Sequence, residues 1–301
     1  MSVLPTGAQY AIVSGDDRAV VTELGATLRH YSAAGRDLVR GFAADESPKG
    51  GRGQQLIPWP NRIRDGRYSY AGVDHQLWLS EPSRHNASHG LVRYAPWQLV
   101  TAQPDTVTLG ITIFPQPGWP GLLRAELTYR VDSDGLRVEL RAENLGAATV
   151  PFGYGAHPYL SAGEDLVDEL TLTIPAERYL AVDDRLLPAE VRPVAGSDLD
   201  WRSGRRVGGD SLDTAFTDLV RGADDRWEIE VSCGERRTVL WGDESMGWAQ
   251  VFTGGPYRNW SVAVEPMTCG PDAFNPGPTH ADLLEIEPGA TLAATWGIHE
   301  R

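Results

Sequence analysis

Cysteine is nearly absent from this 301-residue chain. The two present, Cys233 and Cys269, form no C-x-x-C pair. That argues against a disulfide framework or a structural zinc site and suits a reducing cytoplasm. Long apolar runs are missing too: nothing approaches the roughly 20 residues of a membrane span. The opening residues MSVLPTGAQYAIVSGDD carry no basic segment followed by an apolar stretch, so no secretory signal is read there. Basic residues are in deficit, and the formal net charge of −14 repels phosphate backbones and anionic bilayers alike. Neither nucleic acid nor membrane is expected as a partner, although a local basic pocket is compatible with that total. Three motifs are also lacking: a phosphate-binding glycine loop, H-E-x-x-H and G-x-S-x-G. The expectation is a soluble cytoplasmic protein whose oligomeric state the sequence does not specify.

Helical periodicity is scarce, and alternation with turn signals takes its place. "GRYSYAGVDHQLWL" reads as two strands about Ala71-Gly72, and "AELTYRVDSDGLRVELRAEN" as a hairpin about Asp132 to Gly135. "DELTLTIPAERYLAV", "RRTVLWG", "GWAQVFTG" and "NWSVAVEPM" are further strands, and "LLEIEPGATLAATWGIH" predicts a closing hairpin about Pro288-Gly289. With 41% hydrophobic residues, 33 glycines and 21 prolines, the chain reads as all-β with many short antiparallel strands around a large core. No repeat of fixed period stands out, which favours a sandwich over a propeller. No interdomain linker is evident, so residues 1–301 are taken as one domain. Arg40 to Gly53 reads as a surface loop.

Four segments combine unusual polar residues with turn-forming context. In "LIPWPNRIRDG", prolines stiffen the approach to Asn61-Arg62, and a guanidinium there can donate paired hydrogen bonds to ligand oxygens or serve a surface ion pair. In "RHNASHGLVR", His85 and His89 are four apart in a loop context, and Gly90 permits a turn that exposes His89. In "TVPFGYGAHPYLSAG", Pro158 biases His157 to an extended backbone. The flanking glycines would allow close approach of a ligand, and both tyrosines offer apolar faces. In "WSVAVEPMTCGPDAFNPG", Glu265 reads as ending an apolar strand beside a turn rich in Pro and Gly. Asp213 in "GDSLDTAFTDL" adds a carboxylate among apolar neighbours. Each is also open to a structural reading.

In order and spacing, these segments together resemble the aldose 1-epimerase (galactose mutarotase) family. The resemblance rests on Asn61-Arg62-Ile63, His89-Gly90, His157-Pro158-Tyr159, Leu212-Asp213, and Glu265 followed by Pro271 to Asn275. It implies the large antiparallel β-sandwich, or supersandwich, of that family and cofactor-independent interconversion of the α and β anomers of a hexose. It also implies His157 as general acid and Glu265 as general base, with Arg62, His89 and Asp213 holding the sugar. Two departures, His89-Gly90-Leu91 for the family's His-Gly-Gly and the wording "EPMTCGPDAFN", bear on the preferred sugar rather than the reaction.

The chemistry is self-consistent. Opening a cyclic hemiacetal takes a proton from the C1 hydroxyl and gives one to the ring oxygen, and one acid and one base suffice. At ordinary values, near 4.3 for glutamate and 6.5 for histidine, neither group needs a large shift. No metal or cofactor is called for. Trp59, Trp78, Trp241 and Trp248 are candidates for an apolar platform under the ring. Three rivals stay open: a metal triad of His89, His157 and Glu265, a glycosidase using Glu265 and Asp213, and a sugar-binding module without turnover. Arg62, Arg64, Arg84 and Arg93 lie near these motifs. If they converge on the pocket, a phosphorylated or sulfonated hexose is favoured; if they pair with carboxylates, a neutral aldose is.

Overall fold

The computed structural model describes residues 3–163, 166–255, 258 and 261–301. Two large antiparallel sheets dominate. The first has twelve strands. Its main path runs Gln9–Ser14, Asp17–Thr22, Leu28–Ala33, Arg36–Val39, Tyr159–Leu160, Val262–Met267, Trp248–Phe252, Asp213–Leu219, Ala176–Val182 and Pro188–Pro193, and the short strands Gly155–Ala156 and Gln55–Leu56 attach beside it. The second has nine: Gln98–Ala102, Thr106–Ile113, Leu123–Asp132, Gly135–Asn144, Thr291–Glu300, Arg236–Gly242, Trp227–Cys233, Thr171–Thr173 and Arg205–Arg206. The all-β expectation is correct. No helix among the described residues is long and apolar enough to cross a membrane, and no disulfide joins Cys233 and Cys269.

Period-2 alternation decides what each sheet buries. In Leu123–Asp132, the residues Leu123, Ala125, Leu127, Tyr129 and Val131 are fully buried while their neighbours are not. They join one apolar cluster with residues of the other sheet, among them Val21, Tyr31, Val251 and Val264. This is the expected result when each strand turns alternate side chains to a shared core. A polar chain threads that core: Trp296 Nε1 donates to Tyr154 Oη at 2.8 Å, and Tyr154 Oη donates to Gln55 Oε1 at 2.8 Å. Tyr154→Phe is therefore expected to cost about 1–3 kcal/mol, because it strands a buried donor and a buried acceptor. Urea unfolding would read this as a lower midpoint, and an unshifted midpoint would contradict it.

Two of the three predicted hairpins form, Asp132 pairing with Gly135 and Tyr70 with Val73. Two other expectations need correction. "LLEIEPGATLAATWGIH" is not a hairpin: Leu284–Ile286 pairs with Val150–Phe152, whereas Thr291–Glu300 inserts between Gly135–Asn144 and Arg236–Gly242. "DELTLTIPAERYLAV" breaks near Ile174-Pro175, sending Thr171–Thr173 to one sheet and Ala176–Val182 to the other. Proline has no amide to extend a ladder, which suits a crossing point. The first two residues of "NWSVAVEPM", Asn259 and Trp260, lie outside the described residues.

Candidate functional site

Alternation in Val262–Met267 also sets the site. Val262 and Val264 point into the core cluster. Ala263, Glu265 and Met267 therefore face the opposite side, where Met267 packs with Trp248 and Ala215. Glu265 pairs in register with Gln250, and Gln250 with Ala215. Asp213, two residues before Ala215, falls diagonally across from Gln250 on that same face. Gln250 Nε2 donates to Asp213 Oδ1 at 2.5 Å. Glu265 is not at a strand end, as the following proline suggested; it sits within the strand, and Pro266 continues the register opposite Ala249.

His157 arrives on the adjoining stretch, between Gly155–Ala156 and Tyr159–Leu160, both of which pair with Val262–Met267. Its amide donates to Gln54 O at 3.0 Å, and its carbonyl accepts from Gly53 N at 2.9 Å. The Tyr159 ring stacks on the imidazole with centroids 5.2 Å apart, and Tyr159 Oη donates to Gly50 O at 2.9 Å. Gly51, at φ +77°, passes so close that a Cβ there would lie 2.6 Å from His157 Cδ2. Arg40 to Gly53 is thus a wall of the site as well as a loop. The motif's own glycines serve packing, not ligand approach: a Cβ on Gly153 or Gly155 would run into Pro60, at 2.9 and 2.8 Å. Of the two tyrosines, only Tyr159 belongs to the site.

Arg62 and His89 come from a two-stranded ribbon, Arg62–Arg64 paired with Asn86–Ser88. Asn61 closes it in a left-handed conformation, φ 54°. Its carbonyl accepts from His89 N at 2.8 Å, and its amide donates to His89 Nδ1 at 3.2 Å. With Nδ1 accepting, the proton of neutral His89 sits on Nε2, which makes this ring a hydrogen-bond donor. The turn after Glu265 supports the ribbon: Asp272 N donates to Arg62 O at 2.8 Å, and Asp272 Oδ1 accepts from Arg64 N at 2.9 Å. Arg62 is held by Glu81 through Nε at 2.8 Å and Nη2 at 3.2 Å, and its Nη2 lies 3.8 Å from Asp213 Oδ2.

All five sequence-derived residues, Arg62, His89, His157, Asp213 and Glu265, line one cleft of about 640 Å³, together with Gly51, Asn61, Glu81, Arg84, Arg93, Tyr94 and Phe252. His85 is elsewhere, on the surface against Asp65 at 2.9 Å. None of the four platform tryptophans lines the cleft. Trp59, Trp241 and Trp248 are buried and Trp78 is exposed, so the described aromatic walls are Tyr94 and Phe252. Sequence reasoning missed Glu81 and Gln250. A glutamine inside the apolar run "WAQVF" was a readable signal, whereas "SEPS" gave none.

His157 Nε2 lies 3.3 Å from Glu265 Oε1. His157 Nδ1 and Glu265 Oε2 are shielded and have no hydrogen-bond partner among the described residues. Burial pushes the Glu265 carboxyl well above its ordinary range; the Asp213 charge adds to this, and Arg62 and Arg93 oppose it. Burial, aided by Arg93, depresses His157 to about 3. His89 is driven down for the same reason, with Arg93, His157 and Arg62 contributing. Sequence reasoning placed both groups at ordinary values and held that neither needs a large shift; burial nevertheless shifts each, because desolvation favours its neutral form. Burial also works against charge on Glu81, but the hydrogen bonds and charge of Arg62, with Asn86 and Arg84, outweigh it and hold that carboxyl below its ordinary range.

One nitrogen or oxygen from each of His89, His157 and Glu265 falls within 4.8 Å of the others, so the metal-triad residues do converge. The tautomer of His89 weighs against that use. Its Nδ1 lone pair is occupied by Asn61 N–H, so a metal at Nε2 would have to displace the remaining ring proton. Arg62, backed by Glu81, and His89 Nε2–H instead present donors, Asp213 presents an acceptor, and His157 with Glu265 presents a pair that can exchange protons.

The family model for aldose 1-epimerase matches residues 9–299. The chain is 33% identical to the uncharacterized protein YihR of Escherichia coli (strain K12), over 94% of this chain and 90% of that one. It is 30% identical to galactose mutarotase of Mus musculus over 49% of this chain, a match spanning 44% of the mouse protein. The GalM/aldose epimerase homologue from C. elegans superposes with a TM-score of 0.83 at 20% identity, covering 98% of each chain.

Proposed function

The chain belongs to the aldose 1-epimerase family, and from that premise we propose that it is a cytoplasmic mutarotase, a single-domain isomerase that interconverts the α and β anomers of an aldose without a cofactor. The observation that carries the reading is the His157–Glu265 pair, 3.3 Å apart, buried and lining the cleft. A binding module has no need of a matched acid and base held out of water.

In this mechanism Glu265 takes the proton of the C1 hydroxyl and His157 delivers one to the ring oxygen. The ring C–O bond breaks, and its electron pair leaves with the ring oxygen. The C1 oxygen becomes the carbonyl. After rotation about C1–C2 the proton transfers reverse and the ring closes with either configuration. Arg62, His89 and Asp213 fix the sugar hydroxyls meanwhile. The pair carries one proton throughout. Before ring opening it is carboxylate and imidazolium; afterwards it is carboxylic acid and neutral imidazole. Burial favours the second state, the one that faces the open-chain aldehyde.

The test is the rate at which freshly dissolved α-D-glucose and α-D-galactose reach anomeric equilibrium, followed by polarimetry. We expect acceleration proportional to enzyme, with no release of aglycone from aryl glycosides; such release would point to a glycosidase instead. The pH dependence should carry the signature of the shifts. A second proton enters the pair only near the depressed His157 value of about 3. The shared proton leaves only at the raised Glu265 value. The profile of kcat/KM is therefore expected to pass through 6.5 without inflection, and a descending limb centred there would contradict this account.

A further inference from the structure

Arg62 is aimed by a chain of contacts that starts outside the cleft. Its guanidinium is held by Glu81, and Glu81 is held in turn by Arg84 Nη1 at 2.9 Å and by Asn86 Nδ2 at 3.4 Å. Asn86 is fully buried. Both ends of its amide are engaged by one residue of a distant turn: Nδ2 donates to Arg185 O at 3.2 Å, and Oδ1 accepts from Arg185 Nη2 at 3.2 Å. The same guanidinium reaches three more oxygens around the ribbon. Nε donates to Arg84 O at 3.0 Å, and Nη2 donates to His85 O at 3.0 Å and to Asp65 Oδ1 at 2.8 Å. Arg185 and Asp65 are each more than a third exposed, so their ion pair contributes little stability by itself. What the guanidinium adds is geometry, a rigid fork whose donors point in fixed directions.

The turn that presents Arg185 is itself fixed. Leu187 is fully buried, and Asp183 Oδ1 accepts from Arg185 N at 2.9 Å and from Leu187 N at 3.0 Å. This turn joins Ala176–Val182 to Pro188–Pro193, and Ala176–Val182 pairs with Asp213–Leu219. The contacts therefore close a ring. From Asp213 the path runs through its own sheet to Arg185, then through Asn86 and Glu81 to Arg62, whose Nη2 ends 3.8 Å from Asp213 Oδ2. That separation is too long for a direct hydrogen bond, which leaves a donor and an acceptor facing one another across the width of a hydroxyl. Asp272 fixes the strand Arg62–Arg64 from one side; Arg185 fixes the segment that carries Glu81 from the other.

We propose that Arg185 is a positioning residue for the sugar, acting through Asn86 and Glu81 to hold Arg62 at its working distance from Asp213. This rests on the mutarotase reading above, in which Arg62 and Asp213 bind the substrate. The experiment measures anomer exchange by NMR magnetisation transfer with D-glucose and D-galactose. It compares wild type, Arg185→Ala, Arg185→Lys, Arg62→Ala, the double variant Arg62→Ala/Arg185→Ala, and Arg178→Ala, with folding checked by circular dichroism. Arg185→Ala is expected to raise KM about tenfold and to leave kcat within about twofold, because a displaced binding group weakens the sugar's hold without removing the acid or the base. Arg185→Lys keeps a charge opposite Asp65 but not the fork, and should show most of the same rise. Arg178 lies on the same pair of strands but outside the ring, paired with Asp218 at 3.5 Å, and Arg178→Ala should match wild type. Once Arg62 is alanine, Arg185→Ala should add nothing further to KM, since a residue that acts through another has no effect in its absence. An unchanged KM in Arg185→Ala overturns the assignment and leaves the mutarotase intact. So does a loss confined to kcat, or the same increment in KM with and without Arg62. Absence of exchange by wild type with both sugars removes the mutarotase reading itself, and the assignment of Arg185 with it.

Discussion

Replacing Glu265 by glutamine is expected to lower kcat for anomer exchange by about 10²–10⁴-fold, the usual contribution of a positioned base. Glutamine keeps the size of the side chain and the register of the strand opposite Gln250, but its amide cannot accept the C1 proton. The same substitution gives an internal control on folding. The carboxyl of Glu265 is raised by burial, so the native state holds its proton more tightly than the unfolded chain does. That contribution to stability is complete below the ordinary glutamate value and is lost as pH rises through the raised one. Glutamine does not titrate. The variant should therefore gain stability relative to wild type as pH increases, while activity stays low at every pH. A variant that is both inactive and less stable at high pH would mean that the loss of activity reflects damage, not a missing base.

His157→Ala should cost a comparable factor, about 10²–10⁴ in kcat, for a different reason. In the mechanism proposed above the imidazole protonates the ring oxygen, and its surroundings are built to its shape: Tyr159 stacked on one face, His89 edge-on at 5.7 Å, and Gly51 passing alongside. Truncation leaves a ring-sized gap. Added imidazole is expected to restore part of the rate in His157→Ala and none in Glu265→Gln, measured by exchange NMR with each variant at equal circular dichroism. A loss of less than tenfold in His157→Ala would remove this residue from the acid role.

The residues that line the cleft were more readily legible in the sequence than those that support them. Hydrophobic alternation says which face of a strand is buried, and turn residues say where a hairpin closes, so the bend at Asp132 to Gly135 was legible. Alternation does not name the partner strand. That is why Leu284–Ile286 and Thr291–Glu300, adjacent in sequence and joined by Pro288-Gly289, read as a hairpin although each pairs elsewhere. The same limit hid Gln250, whose role depends on lying between Glu265 and Asp213. Glu81 was hidden because an ion pair with Arg62 is a three-dimensional fact with no local pattern. The glycines around His157 were legible as a demand for space but not for whom: the neighbour is Pro60. The protonation states were misjudged because ordinary pKa values presume water, and the depth of His157 and Glu265 depends on loops that arrive from distant parts of the chain.

The order of the first sheet has a consequence for synthesis. Val262–Met267, which bears Glu265, lies between Tyr159–Leu160 and Trp248–Phe252, so the central seam of that sheet waits for one of the last strands made. Arg62, His89 and His157 leave the ribosome long before Glu265, which completes the cleft they line. Contacts this distant along the chain close slowly. Until they do, the nascent protein carries an open gap where Tyr159–Leu160 and Trp248–Phe252 each await the same partner, an unpaired edge of the kind that chaperones shield.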